Sequence, residues 1–296
     1  TDAEDLAAIG KRLQDNDATM DGKTVTIARD IDMSKYAWIP VTYSNYSSTV
    51  TFNGNGHKIT GLNSISINDG KNQNYTGVFF GQEPSFATMT VNDLTFEGDC
   101  HVYAAGDTWL YVAGIFANGG HLNGVTNKVN VAINGSAKYA YVYGSGFSVF
   151  DFNNSGIDNT VTIGNFKADS LSGYGIGAGI MNGSVKNSYS NLNLVFSDKA
   201  SVGKFVFRGL VGSGITMAAN YYYGGNITNA PQTDDVYGIS QNATAVNAPL
   251  FSYITPLTQE GMGNDDFLSA VDRDTNKIGK FTKLVSALNS WVEDNQ

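Results

Sequence analysis

The stretch Gly77-Val-Phe-Phe-Gly81 returns in variant form through the middle of this 296-residue chain. A glycine followed by apolar residues recurs at Gly114-Ile-Phe116, Gly146-Phe147, Gly179-Ile-Met181 and Gly209-Leu-Val-Gly212. The leading glycines are separated by 37, 32, 33 and 30 residues. A fixed period of this size is typical of architectures built from one short supersecondary unit.

A second signal keeps the same period. An apolar residue, any residue and then Asn or Asp recur at Val91-Asn-Asp93, Val125-Thr-Asn127, Ile157-Asp-Asn159, Val185-Lys-Asn187 and Ala218-Ala-Asn220. The Asn and Asp positions are separated by 34, 32, 28 and 33 residues. Two signals in step indicate a real repeat, which is built of short strands because no helical pattern accompanies it.

These patterns predict an all-β protein, a right-handed parallel β-helix with a capping helix at each end. The unit is shorter than a propeller blade, the main alternative. The capping helices are expected at 2–15, with Asp2 as N-cap, and at 279–293. We expect one domain made of an N-terminal cap and first coils (1–62), a repeat body (63–228), and an irregular stretch with the C-terminal helix (229–296).

Alternation after the Asn positions predicts which side chains face the interior. Val125, Asn127, Val129, Val131 and Ile133 have one parity, so they share one face of a strand. A buried amide needs hydrogen-bond partners, and stacked copies would supply them. We therefore expect a structural ladder, with turn formation as the alternative. Its members are Asp93, Asn127, Asn159, Asn187 and Asn220.

Composition narrows the classes of partner. The net charge is −9, with no basic cluster, which disfavours nucleic acid and anionic membranes as partners. The single cysteine, Cys100, excludes an intramolecular disulfide and is expected to be a small buried apolar residue. No apolar run approaches the ~20 residues that span a bilayer. The chain begins at Thr1, as expected of a mature or trimmed form.

Three segments resemble a known family. Gly209-Leu-Val-Gly212 matches the Gly-Leu-apolar-Gly signature of GLUG-type repeats, and Gly77-Val-Phe-Phe-Gly81 is a looser copy. The opening, KTVTIARDIDMSKYAWIPV and TVTFNGNGHKITGL, and the closing LVSALNSWVEDN are similar to surface β-helix proteins, of pectin-lyase-like fold, from Bacteroides-like gut bacteria. The resemblance implies an exported, often lipid-anchored, adhesin-like protein. It is expected to be secreted or held at the outer membrane through a leader absent from this chain.

The residues themselves offer little chemistry. The three histidines, His57, His101 and His121, lack the His-Glu-x-x-His spacing of a zinc protease. Pairs of acids such as Glu97 with Asp99, and Asp158 with Asp169, show no matching acid in neighbouring units. Asp15-Asn-Asp17 and Asp30-Ile-Asp32 lack the glycine and distal glutamate of a calcium loop. We expect no catalytic residue, no metal site and no cofactor.

Aromatic residues are the most suggestive feature. Tyr139-Ala-Tyr-Val-Tyr143 alternates, so its three rings share a face, which is a stacking platform if exposed and core if buried. The candidate binding residues are Tyr139, Tyr143, Tyr111 and Trp109. The function expected is a non-catalytic, adhesin-like surface protein that binds a glycan or a partner protein. The alternative is a polysaccharide lyase or glycoside hydrolase.

Overall fold

The computed structural model describes part of the chain. Its backbone is described for residues 2–41, 49–68, 74–80, 88–104, 109–115, 120–143, 146–147, 156–158, 160–162, 164–178, 181–182, 184–186, 189–190, 193–197, 201–208, 217–218, 220–223, 227–228, 233–237 and 254–257. Side chains are described for a subset of these, mostly before residue 137. The helix predicted at 279–293 lies outside the described residues.

The chain opens with helix α1, Ala3–Gln14. Asp2 caps it, since its carboxylate accepts a hydrogen bond from the Asp5 N–H while the Asp5 carboxylate accepts one from the Asp2 N–H. Leu6 and Leu13 are buried on one face. The N-terminal helix and its cap are therefore confirmed. A short 3-10 helix, Ala18–Met20, follows, with Asp17 as its cap.

The remaining described elements are strands. In chain order they are β1 Lys23–Thr26, β2 Ile31–Asp32, β3 Thr49–Asn53, β4 Lys58–Leu62, β5 Ile65–Asn68, β6 Asn74–Gly77, β7 Thr88–Asn92, β8 Thr95–Ala104, β9 Trp109–Ala113, β10 His121–Asn123, β11 Thr126–Tyr143, β12 Gly146–Phe147, β13 Gly156–Asp158, β14 Val161–Thr162, β15 Asn165–Ala178, β16 Met181–Asn182, β17 Ser184–Lys186, β18 Tyr189–Ser190, β19 Asn193–Phe196, β20 Ser201–Arg208, β21 Met217–Ala218, β22 Asn220–Tyr223, β23 Ile227–Thr228, β24 Thr233–Tyr237 and β25 Ile254–Leu257.

One sheet has seven strands in the order β1-β3-β7-β10-β13-β17-β21. Each pairs in parallel with a strand about one repeat away along the chain. The register aligns one apolar position from each strand, and the described side chains of this row are buried: Val25, Phe52, Val91, Leu122 and Ile157. The repeat period therefore marks residues that become neighbours across the sheet.

The larger sheet has sixteen strands. Its main path runs β2-β4-β8-β11-β14-β18-β22-β25, and eight further strands pair beside that path. The long strand β11 is central, because it pairs in parallel with β8 and β9 on one side and with β14 and β15 on the other. A separate two-stranded sheet joins β12 and β16.

The predicted all-β, right-handed parallel β-helix is wrong, whereas of the two capping helices the first is present as α1 and the second lies outside the described residues. The described residues form two large open parallel sheets, one two-stranded parallel sheet and a single α-helix, an arrangement closer to mixed α/β parallel sheets. The reason is that a sequence period identifies which strands become neighbours, but it does not specify that the sheets close on themselves. Here the larger sheet branches, since β15 pairs with β11, β19 and β20. The division at residues 62 and 228 stays a prediction.

The described core is one apolar cluster that joins α1 to both sheets. Trp38 stacks on Phe79 with ring centroids 4.8 Å apart, and its indole N–H donates to the Phe79 carbonyl at 3.0 Å. Phe79 also packs edge-on against Phe80 and Phe96. The Gly-apolar motif at residue 77 therefore supplies the aromatic centre of this core, because Val78, Phe79 and Phe80 are all buried.

Candidate binding surface on the larger sheet

Two neighbouring strands bring the predicted aromatic residues together. Strand β9 pairs in parallel with β11, and Trp109 lies opposite Tyr139 while Tyr111 lies opposite Tyr141. Neighbouring strands are ~4.8 Å apart, so each pair holds adjacent positions across the sheet. Along β9 these aromatic residues alternate with Leu110 and Val112, which are buried.

The next strands on either side extend both rows. Tyr75 of β6 lies opposite Tyr111, and Tyr174 of β15 lies opposite Tyr139. We call the six positions in these two rows the aromatic array: Tyr75, Trp109, Tyr111, Tyr139, Tyr141 and Tyr174. Each row crosses three strands. The side chains of the array lie outside the described part of the structure.

Of the four predicted binding residues, three belong to the array and one flanks it. Tyr143 lies opposite Ala113 on one side and Ala178 on the other. Its row continues to Arg208, which lies opposite Ala178 on β20. Tyr143 therefore occupies the border of the array. The sequence placed Tyr139, Tyr141 and Tyr143 in one strand, but it did not indicate that β6, β9 and β15 would align other aromatics beside them.

The ladder residues occupy two different kinds of position. Asn127 is fully buried, together with Val125, Val129, Val131 and Ile133, so the parity predicted for this strand is confirmed. The Asn127 Oδ1 atom accepts a hydrogen bond from the Val129 N–H at 3.2 Å. The residues opposite Asn127 are Phe96 and Thr162, so the structure does not bring it beside Asp93.

Asp93 instead occupies a turn. Its φ is +49°, and Gly124, which holds the corresponding place after β10, has a φ of +69°. Left-handed backbone is the conformation that Asp, Asn and Gly tolerate best, which is the turn role named as the alternative for these residues. Asn159 and Asn187 lie outside the described residues. Asn220 begins β22 opposite Ile254, and its side chain lies outside the described part.

The acids considered for catalysis have basic or amide neighbours. On β8, Glu97 lies opposite Lys128 and Asp99 lies opposite Asn130. The Lys128 Nζ atom is 3.6 Å from the Glu97 carboxylate, and the Asn130 side chain donates to Asp99 at 2.9 Å. Asp169 pairs with Lys167 at 2.8 Å. The geometry of these described acids is that of surface pairing.

The aspartates considered for calcium have structural partners. Asp30 accepts hydrogen bonds from the Lys58 N–H and the His57 ring, at 3.0 and 3.1 Å. These two partners lower the pKa of the Asp30 carboxyl, the Lys58 N–H most. Asp32 accepts the Ser34 N–H at 2.9 Å. Within the part of the chain that the structure describes, no cluster of three or more His, Cys, Asp or Glu is arranged to hold a metal ion.

Two further features concern burial and membranes. Cys100 is 1% exposed, and its thiol lies 3.8 Å from the Leu62 carbonyl, so the prediction of a small buried residue is confirmed. Burial raises the pKa of the Cys100 thiol. Among the helices that the structure describes, none has the length and apolar character needed to cross a bilayer.

One aromatic pair with an exposed member, His101 and Tyr103, was not among the binding residues predicted from the sequence. Tyr103 is 44% exposed on β8. Its ring lies nearly parallel to that of His101, with the two ring centroids 6.5 Å apart. The signal that identifies both is alternation, since Cys100, Val102 and Ala104 of the same strand are buried. Tyr103 lies opposite Asn134 of β11, the strand that carries Tyr139.

Comparison of the chain with protein-family models, with curated proteins and with solved structures gave no match. The assignment of function therefore depends on the geometry of the chain itself.

Proposed function

We propose that this protein is a non-catalytic binding protein that holds an uncharged glycan on the aromatic array of its larger sheet. The observation that carries the proposal is the parallel register of β6, β9, β11 and β15, which aligns six aromatic positions in two rows. Aromatic rings supply large rigid contact area, and the apolar face of a sugar ring stacks on them. Repeated rings at strand spacing suit a ligand that is itself a repeating chain.

The charge of the chain favours an uncharged or basic ligand. The net charge of the chain is −9. On the outer side of β8, Glu97 lies near Lys128, and Asp99 accepts a hydrogen bond from the Asn130 amide. An acidic surface repels anionic polysaccharides, which lowers both their local concentration and their association rate. Of the ligands expected from the sequence, a neutral glycan fits this balance best.

A binding role without turnover is supported by the pairing of the described acids. Retaining and inverting glycosidases need two carboxylic acids that face each other across the scissile bond. Glu97 and Asp99 instead lie opposite a lysine and an amide. We further propose that the protein works at the cell surface or after secretion, on the strength of the resemblance of its opening and closing segments to adhesin-like surface proteins.

The test is binding by single variants of the array. Wild-type protein is screened on a glycan array and then titrated with the best neutral glycan by calorimetry. We expect Trp109→Ala and Tyr139→Ala each to weaken binding about tenfold, because removal of one stacked ring costs of the order of 1 kcal/mol. Tyr36→Ala is the matched control, since Tyr36 is 42% exposed but hydrogen-bonds Glu4 of α1.

Two results would overturn the proposal. Equal binding by wild type, Trp109→Ala and Tyr139→Ala, with unchanged melting temperatures, would remove the array from the binding surface. Release of reducing ends or unsaturated products from a polysaccharide by the wild type would show turnover and favour an enzyme.

A further inference from the structure

A contiguous apolar patch lies on the larger sheet apart from the aromatic array. Within the described side chains, the large apolar residues that remain exposed include Ile39 at 71%, Ile65 at 49% and Tyr103 at 44%. Single exposed apolar residues are ordinary, whereas a contiguous group indicates an interaction surface. The register shows whether these residues form such a group.

The strands place these residues side by side. Ile65 lies opposite His101, and the ring of His101 is stacked on that of Tyr103, with an angle of 20° between the planes. Trp38 forms an isolated parallel bridge with Ser64, and Ile39 and Ile65 are the residues that follow these two along the chain. We call Ile39, Ile65, His101 and Tyr103 the ring patch.

The residues of the ring patch are not core residues that have been left exposed. The residues that alternate with its members are already buried: Trp38 is 5% exposed, Ser64 0% and Val102 0%. Alternate side chains of these segments therefore face the interior, and the residues of the ring patch lie on the opposite face. The apolar surface of the ring patch has no protein covering it among the described residues.

The border of the ring patch is polar. Asn134 lies opposite Tyr103. Asp99 lies two residues before His101 and accepts a hydrogen bond from the Asn130 side chain at 2.9 Å. Glu97 is 3.6 Å from Lys128. Coplanar rings and aliphatic carbons beside amide groups match a ligand with both an apolar face and hydroxyl groups. Asp99 keeps its negative charge, since the partner described for it is an amide, so this border disfavours an anionic ligand.

We propose that the ring patch is a second subsite for the same uncharged glycan, with Tyr103 as the principal stacking residue. This inference rests on the proposed function. The two subsites share one strand, because Asn134 opposite Tyr103 and Tyr139 opposite Trp109 both belong to β11. At ~3.3 Å per residue they are no more than roughly 17 Å apart along the strand. A glycan of a few sugar residues spans that distance, so both subsites contact one chain and their affinities reinforce each other.

The experiment is affinity electrophoresis of the whole protein in gels that contain hydroxyethylcellulose, glucomannan or soluble starch. We expect Tyr103→Ala to weaken retardation about tenfold in the gel that retards the wild type, and Tyr103→Trp to preserve it. Tyr36→Ala is the control, because Tyr36 is equally exposed but lies against α1. Ile65→Asn is a second variant, which removes apolar surface without touching the ring stack.

The outcomes separate the two proposals. If Trp109→Ala loses retardation while Tyr103→Ala and Ile65→Asn keep it, the second subsite is overturned and the aromatic array stands. If no gel retards the wild type, the glycan proposal fails and the second subsite fails with it. If the wild type sediments as a dimer and Tyr103→Ala as a monomer, with equal retardation, the ring patch is a contact between two copies of the chain.

Discussion

The Asp93 carboxylate occupies the space beside Gly124 that any other side chain would need. A Cβ atom built on Gly124 would lie 2.4 Å from the Asp93 Oδ1 atom. Both residues have positive φ, and each follows a strand of the seven-stranded sheet, β7 and β10. These two turns carry the chain from the seven-stranded sheet to the larger one, into β8 and β11 respectively.

Replacing Gly124 by alanine should therefore destabilise the protein. We expect a loss of at least ~1–2 kcal/mol, because the left-handed backbone has this cost for a residue with a Cβ, and the Asp93 carboxylate must also move to admit the new methyl group. The matched control is Gly22→Ala, since Gly22 has a φ of +66° and no atom within 4 Å of its Cβ position. Urea unfolding measures both, and equal losses would show that the contact with Asp93 does not matter.

Replacing Asn127 by leucine should cost ~1–3 kcal/mol. Asn127 is fully buried, and the substitution removes the oxygen that accepts the Val129 N–H. Asn92→Leu is the control, because Asn92 is half-buried on the outer parity of β7, and we expect less than ~0.5 kcal/mol there. A negligible shift for Asn127→Leu in urea melts would contradict a structural role for the buried amide.

Truncating apolar side chains of α1 should destabilise the protein more at a buried position than at a half-buried one. Leu13→Ala is expected to cost ~2–5 kcal/mol, since Leu13 is 0% exposed in the cluster that joins α1 to the sheets. Ile9 is only partly buried against the same cluster, so Ile9→Ala should cost clearly less. Thermal or urea melts that rank the two variants in the opposite order would be inconsistent with this packing.

Asp17 should remain ionised to low pH. Hydrogen bonds from the Thr19 side chain and from Arg12 lower the pKa of its carboxyl to about 2, the Thr19 bond most. Because the folded pKa is lower than the usual 3.8, the contribution of Asp17 to stability is complete above pH 3.8 and is lost as the pH falls through about 2. Carboxyl NMR titration measures the pKa directly. Thr19→Ala should raise it toward 3.8, and a wild-type value already near 3.8 would refute the prediction.

Much of the local structure could be read from the sequence. The helix at Ala3–Gln14 follows from its cap at Asp2 and its apolar face, and the turn at Asn53–Gly56 follows from residues that accept positive φ. The buried parity of β11 follows from alternation of apolar residues. These features depend on neighbours within a few residues, so a linear pattern is enough to indicate them.

The tertiary structure decided which repeats align and what the sheets enclose. The period indicated which strands become neighbours, but Asn127 lies opposite Phe96 and not opposite Asp93. The reason is that the register depends on how each turn connects the two sheets. The sheets remained open, since closure depends on the routes of the connections and not on the period. The aromatic array depends on the same long-range register: Tyr111 and Tyr141 are far apart in sequence, and only the pairing of β9 with β11 makes them neighbours.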